Sequence, residues 1–189
     1  MRIQLLYPLM LVVIILGVVG LFSFRYSPLQ ESPNNIIFVG LEGTSERVSV
    51  EEMVNGCGVE DRSIYDIWLG QTKKYTFVKV NDLLNCLSDI PADDLQYTIN
   101  VVFTNIQGKT ISIPLTNIIE YEDSFLLAIM YKNEELKEDF SNNETSGGPS
   151  RLLIDYSIDY SSDFLSENYG PEYWLWCIYK ISLVKGPVA

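Results

Sequence analysis

The sequence predicts a β-rich domain with a few short helices, carried behind one N-terminal membrane helix. Three observations predict this. Residues 3–24 carry no charged side chain. Beyond them, short runs of β-branched and aromatic residues recur, parted by Gly, Pro, Asn and Ser clusters that favour turns. Helical spacing is confined to two brief segments, 80–90 and 115–119. With 189 residues, the chain has room for one ordinary domain and a short appendage.

The membrane segment comes first. Arg2 and Arg25 bracket the uncharged run. A helix rises ~1.5 Å per residue, so about 20 apolar residues cross a ~30 Å bilayer core. Pro8 stands near the start, where a helix tolerates it best. Leu9–Phe24 has no polar stripe to turn toward water, as a surface helix would need. A cleaved signal peptide is the rival reading. It has a shorter apolar region and a small-x-small cleavage site, whereas this run ends GLFSFRYS with no such site. The expectation is an uncleaved anchor over 1–25. Arg2 and the terminal amine flank its short side, and after Arg25 no Lys or Arg follows until Arg47. The positive-inside rule then puts the N-terminus in the cytoplasm and the body outside.

The body follows in order. Residues 26–35 (YSPLQESPNN from Tyr26) read as a linker, with two Pro. IIFVG (36–40) is a strand, and the alternation of Val48 and Val50 extends the β-rich start. Residues 55–71 form a Gly-marked hairpin or irregular excursion. Residues 80–90 form a short helix with Asn81 as N-cap and a Leu83, Leu84, Leu87 face, stopped by Pro91. YTINVVFT (97–104) and TISIP (110–114) form a hairpin about NIQGK. Residues 115–119 make a helical turn, FLLAIMY (125–131) is a compact apolar run, and KNEELKED is a solvated turn or helix end. Residues 141–150 are a loop bearing the sequon Asn143-Glu144-Thr145, a glycosylation candidate if the host modifies surface proteins. Arg151–Ile154 is a short strand. Residues 155–170 are polar and aromatic, and residues 173–184 (YWLWCIYKISLV) are the longest strand candidate, placed centrally.

Composition bounds the chemistry. There is no His, which removes Ser-His-Asp, Cys-His and His-ligated zinc arrangements for this chain acting alone. Thirteen Lys and Arg face 25 Asp and Glu, a net charge of -12, which argues against nucleic acid as partner. Beyond the uncharged span, 12 basic residues, counting Arg25, stand against 25 acidic ones, net -13, so the body should stand off anionic lipid.

There are three cysteines, Cys57, Cys86 and Cys177, an odd count that leaves at least one outside any intrachain bridge. The apolar settings of Cys86 and Cys177 suggest small buried hydrophobes. Cys57, in the Gly-flanked loop NGCGVED, is the one expected at the surface. Paired acids at 51–52, 60–61, 93–94 and 134–135 lack the spacing of a calcium loop and read as solvated surface. The aromatics from Tyr156 to Trp176 read as core, with a ligand or partner groove as the alternative.

Five segments, taken in order, resemble the sulfite-oxidase-type, molybdopterin-binding oxidoreductase family. YTFVKVNDLLNCL (75–87) is similar to that family's Y-x-G-V-x-L-x-D-L-L segment. INVVFTNIQGKTISIPLTNI (99–118) is similar to its strand–DGY–strand–P-L segment. FLLAIMYKNEEL (125–136), SGGPSRLLI (146–154) and YWLWCIYKISLV (173–184) resemble the segments that follow. The resemblance covers residues 75–184. It implies a mixed, β-dominated α+β domain, here over residues 36–189. It also implies molybdenum held by a Cys thiolate, with basic residues and hydrogen-bond donors at the pterin. On that reading Cys57 is the candidate thiolate ligand and redox thiol, and Gly148, Arg151 and Trp176 are the candidate cofactor-binding residues.

The departures carry as much information. NGCGVED does not match the family's Cys motif. Phe77 replaces the Gly of G-V, Lys109 the Tyr of DGY, Asp155 and Tyr156 the P-G, and Leu175 the Lys before Trp176. An acidic body is a poor host for an anionic pterin phosphate. Arg151 has two readings: contact with an anionic ligand beside Gly147-Gly148, or a structural pairing with a carboxylate such as Asp155. The expected function is therefore a non-catalytic, membrane-anchored extracytoplasmic domain that binds a ligand or partner and holds no cofactor. The alternatives are a true molybdenum-cofactor oxidoreductase and a structural surface protein glycosylated at Asn143.

Overall fold

The computed structural model describes residues 35–67, 70–88, 98–131, 134–136, 148–158 and 162–186. All lie in the unit Pro33–Ala189. The 3–24 run, Pro91, the acids at 93–94, Asn143 and Gly147 lie outside the described residues. Among the described residues, no helix is long and apolar enough to cross a membrane.

The architecture is a β-dominated α+β domain built on two sheets. In chain order its elements begin with β1 (Asn35–Val39), β2 (Ser45–Ser49), α1 (Val50–Gly56), β3 (Val59–Asp66), β4 (Gln71–Lys79) and α2 (Val80–Leu87). Then come β5 (Ile99–Asn105), β6 (Thr110–Pro114), α3 (Leu115–Glu120), β7 (Phe125–Tyr131), β8 (Glu134–Glu135) and β9 (Arg151–Ile154). The chain closes with α4 (Ser162–Asn168), a 3-10 turn at Pro171–Tyr173 and β10 (Ile178–Lys185). Sheet one runs β2-β1-β10-β5-β6, with β1 parallel to β10 and the other neighbours antiparallel. Sheet two runs β3-β4-β7-β8, with β9 also paired to β7.

The burial pattern explains the strand placements. Strand β5 alternates strictly, putting Ile99, Val101, Phe103 and Asn105 inside. That is the period of a sheet with one face on the core. Residues 125–129 of β7 are buried without a break, as a strand covered on both faces requires. The β5–β6 turn is closed by Asn105, whose side-chain oxygen accepts from the Gln107 and Lys109 N–H groups at 3.1 and 2.9 Å. Gly108 takes the positive φ of 81° that this turn needs.

Several expectations are corrected here. Val50 does not continue the second strand but opens α1. Ser49 is its N-cap: the Ser49 hydroxyl accepts from the Glu52 N–H at 3.1 Å, and the Glu52 carboxylate accepts from the Ser49 N–H at 2.7 Å. This capping box satisfies two backbone donors and outweighs the Val48/Val50 alternation. Asn81 is not the N-cap of α2. Lys79 holds that position without a side-chain bond, and Asn81 donates instead to Glu122 at 3.0 Å. The 173–184 run is not one strand. The chain turns through Pro171–Tyr173, touches β9 through the Leu152–Leu175 bridge and passes Cys177 at φ 56° before β10 begins. Strand β10 is central to its sheet as expected, but β4 is longer, at 9 residues against 8. Part of the solvated turn after β7 is the short strand β8, and α4 lies within the stretch read only as polar and aromatic.

The capping box yields a testable outcome. The Glu52 carboxyl is held below its ordinary value of 4.5, first by the Ser49 N–H and then by the Ser49 hydroxyl. A carboxyl lowered on folding adds stability above its unfolded value and loses it as pH falls through the lowered folded value. Ser49→Ala is expected to cost about 1 kcal/mol at neutral pH, read by urea unfolding. Only the part of the deficit carried by the Ser49 hydroxyl donating to the Glu52 carboxylate should shrink as pH falls through the lowered value; the part carried by the hydroxyl accepting from the Glu52 N–H should persist. A deficit unchanged between neutral pH and pH ~3 would show that the hydroxyl's bond to the Glu52 carboxylate adds nothing to stability.

Candidate functional site

Arg151 enters on β9 and pairs in register with Ala128 of β7, which itself pairs with Phe77 of β4. It is the bulkiest fully buried side chain among the described residues, with 0% exposure. A guanidinium so placed must be answered by an opposite charge and by hydrogen-bond acceptors nearby. Strand alternation supplies them. Ile64 and Asp66 share the inward face of β3, and Lys73, Tyr75 and Phe77 share that of β4.

The Asp66 carboxylate, 0% exposed, stands 3.4 Å from Arg151 Nη1. Arg151 Nη1 also donates to the Tyr75 hydroxyl at 2.8 Å, and that hydroxyl donates to Asp66 Oδ2 at 2.5 Å. Trp176 covers the guanidinium face, its ring centroid 4.1 Å from Cζ. Such stacking is worth about 0.5–2 kcal/mol and fixes the ring's attitude. The Trp176 indole N–H meanwhile is buried and has no hydrogen-bond partner.

Arg151 therefore pairs with a carboxylate, but with Asp66 rather than Asp155. Asp155 is held by Arg62, whose Nη1 lies 3.2 Å from Asp155 Oδ2 and donates to the Asp123 carbonyl at 3.0 Å. The other Asp155 oxygen accepts from the Ser157 N–H and hydroxyl. Lys79 joins the same edge, 2.7 Å from Asp123 and 3.3 Å from Glu60. Its ammonium is raised above its ordinary value, chiefly by the hydrogen bond to Asp123, against desolvation. Of the paired acids, Glu60 and Asp61 thus hold cations, Asp61 through Lys74 at 3.0 Å, and Glu52 closes a cap. Among the described residues, no group of three or more acids or cysteines is placed to hold a metal ion.

Gly148 is buried and precedes Pro149, which has no N–H to add to an anion nest. The aromatic segment goes largely to the core. Trp174 and Tyr169 are buried. Tyr169 stacks edge-on against Phe125 and Tyr173 at 5.3 and 4.9 Å, and its hydroxyl accepts from Asn117 at 2.5 Å. Burial pushes the Tyr169 and Tyr156 hydroxyls above their ordinary range.

The cysteines reverse the expected exposures. Cys57 is the C-cap of α1 and is 5% exposed, whereas Cys86 on α2 is exposed. The two form a disulfide with Cα atoms 5.6 Å apart. Cys57 was misplaced because its flanking glycines suggested an open loop, yet the residue turns inward between them. Cys177 is buried, as expected. Neither Asp66, Tyr75 nor the Cys57–Cys86 pairing was anticipated. The first two were within reach of strand alternation, since Asp66 falls two residues after buried Ile64 and Tyr75 two before buried Phe77.

Among the described residues, two of the candidate molybdenum-cofactor residues, Cys57 and Arg151, are already engaged by other groups of the domain. The candidate thiolate, Cys57, is bonded to Cys86, and the candidate phosphate-binding cation, Arg151, is buried against Asp66 and Trp176. A pterin phosphate at Arg151 would have to displace both. What the arrangement can do chemically is structural: it ties β3, β4, β9 and the segment before β10 at the place where the two sheets meet. Two backbone bonds accompany it there, from Leu152 N–H to the Leu175 carbonyl and from Ile178 N–H to the Ser150 carbonyl, at 2.9 and 3.0 Å.

Two outcomes follow for stability. Asp66→Asn removes the carboxylate from a buried guanidinium and should cost about 3–5 kcal/mol in urea unfolding. Asp66→Leu combined with Arg151→Met should recover most of that loss, since two apolar groups need no partners. If the double variant is as unstable as the single one, the pair is not the source of the effect. Removing the disulfide, which closes a loop of sequence separation 29, should cost about 3–4 kcal/mol by chain entropy, read with and without reductant.

No family model matches the chain, and no curated protein matches it.

Proposed function

We propose that this chain is a membrane-anchored extracytoplasmic protein whose domain has the sulfite-oxidase-type scaffold and acts by binding a partner, not by molybdenum chemistry. The observation that carries this reading is the Cys57–Cys86 disulfide. It supports an oxidising compartment, where such bonds persist. It also engages the sulfur that a molybdenum ligand would need. The burial of Arg151 against Asp66 supports the same reading from the pterin side. The β-dominated two-sheet architecture accords with the resemblance of residues 75–184.

The uncharged run at 3–24 supports the anchor, with the N-terminus cytoplasmic. The acidic balance bears on the partner. A domain of this charge is steered toward a basic face and away from anionic lipid or phosphate.

Elemental analysis of protein purified from its own host tests the chemistry. Molybdenum far below one per chain is expected, with no change in Cys57→Ala. Stoichiometric metal that disappears in Cys57→Ala would establish the alternative, a molybdenum oxidoreductase. Topology is tested separately by protease protection in spheroplasts or sealed membrane vesicles. The domain should be cleaved only when the outer face is accessible, and the chain should resist carbonate extraction unless residues 3–24 are deleted.

A further inference from the structure

The two halves of the disulfide are not equivalent. Cys57 is 5% exposed and sits at the end of α1, between the exposed residues Gly56 and Gly58. Cys86 is exposed on α2, next to exposed Asn85. Thiol–disulfide exchange is an in-line displacement: the incoming thiolate approaches one sulfur from the side opposite the other. Cys57 is a buried residue and Cys86 an exposed one, so the outer approach to the bond is to Cys86 Sγ. Cys57 Sγ belongs to a residue that is buried in the core cluster, so an incoming thiolate has little access to it.

We propose that Cys86 is a site of S-thiolation by low-molecular-weight thiols, and that the disulfide opens from that side alone. The incoming thiolate bonds to Cys86 Sγ as the Cys57–Cys86 bond breaks. The bonding pair leaves with Cys57 Sγ, which takes a proton from water. Cys57 is thereby reduced, and Cys86 ends in a mixed disulfide with the incoming sulfur. A second thiol attacking that sulfur releases Cys86 as a thiol and departs as the small disulfide. Two external thiols are oxidised for one protein disulfide reduced. The departing sulfur carries negative charge, and the last turn of α1 has no basic residue to receive it. The exchange is therefore slow.

The opening also has a structural consequence. Helix α1 packs chiefly on β2 and β3, and α2 on β4, β7 and α3, so the bond is a tie between elements with different neighbours.

The test uses the whole chain in detergent, without denaturant, with 2-mercaptoethanol as the thiol. Samples are quenched in acid, alkylated with N-ethylmaleimide and mapped by peptide mass spectrometry. The expected product carries the mercaptoethanol adduct on Cys86 and maleimide on Cys57, with Cys177 unlabelled until denaturation. Adduct on Cys57, adduct shared equally, or no adduct on either would overturn the proposal. A second arm exposes Cys57→Ser and Cys86→Ser to hydroxyethyl disulfide, with near-UV circular dichroism to confirm folding. Cys86 should be captured at least about tenfold faster than Cys57, because capture follows exposure of the thiolate. Equal rates in folded variants would also overturn it. If a variant does not fold, the intact protein alone decides.

Discussion

A guanidinium shut away from water is costly to bury, and its charge has to be answered where it lies. In this domain Arg151 is answered from three directions by three separate parts of the chain. Asp66 closes β3, Tyr75 stands in β4, and Trp176 precedes β10. None of these is near Arg151 in sequence. The cluster can form only when the β3–β4 hairpin, β9 and the last strand have all reached their final positions. Its net contribution to stability is modest on the usual accounting for buried ion pairs, because desolvation offsets most of the attraction. Its contribution to register is larger. A slip of one residue in β9 would turn Arg151 to the opposite, equally buried face, away from Asp66.

The disulfide complements this tie on another part of the fold. Helices α1 and α2 are 7 and 8 residues long, too short to be stable alone. Helix α1 has its capping box at one end and the Cys57 bond at the other. Helix α2 lacks a side-chain cap but buries Val80, Leu83 and Leu84, each worth about 1.5–3 kcal/mol. Local hydrogen bonding secures one helix and burial the other, and the bridge joins them.

How much of this the sequence made legible depends on the range of the interaction. The β5–β6 hairpin, α2, β7 and β9 were readable because alternation, apolar runs and turn residues are local signals. Helix α1 was readable too, from Ser49 and Glu52 at capping spacing, but the valine alternation beside them drew the other assignment. The break between Tyr173 and Ile178 was not. It depends on Leu175 bridging to Leu152, and nothing within YWLWC announces a partner outside the segment. The site behaved the same way. Arg151 stood out as an isolated cation in an apolar strand, and its engagement by a carboxylate could be foreseen. Choosing Asp66 over the adjacent Asp155 required knowing that Arg62 lies across from Tyr75 and reaches Asp155 first.

That division of carboxylates also decides what the surface can attract. Arg62, Lys74, Lys79 and Arg151 each stand within 4 Å of an Asp or Glu of the same domain. An anionic ligand binding at any of them must first draw the cation from a carboxylate and then leave that carboxylate unpaired in an already acidic field. At the exposed pairs this penalty is small, because solvent and salt screen them. At Arg151 it is large, because the carboxylate left behind is as buried as the cation. The place where the family resemblance would put an anion is thus the place where this chain is least able to receive one. A partner bearing positive charge meets no such obstacle, since it can share carboxylates that face solvent without dismantling the pairs inside.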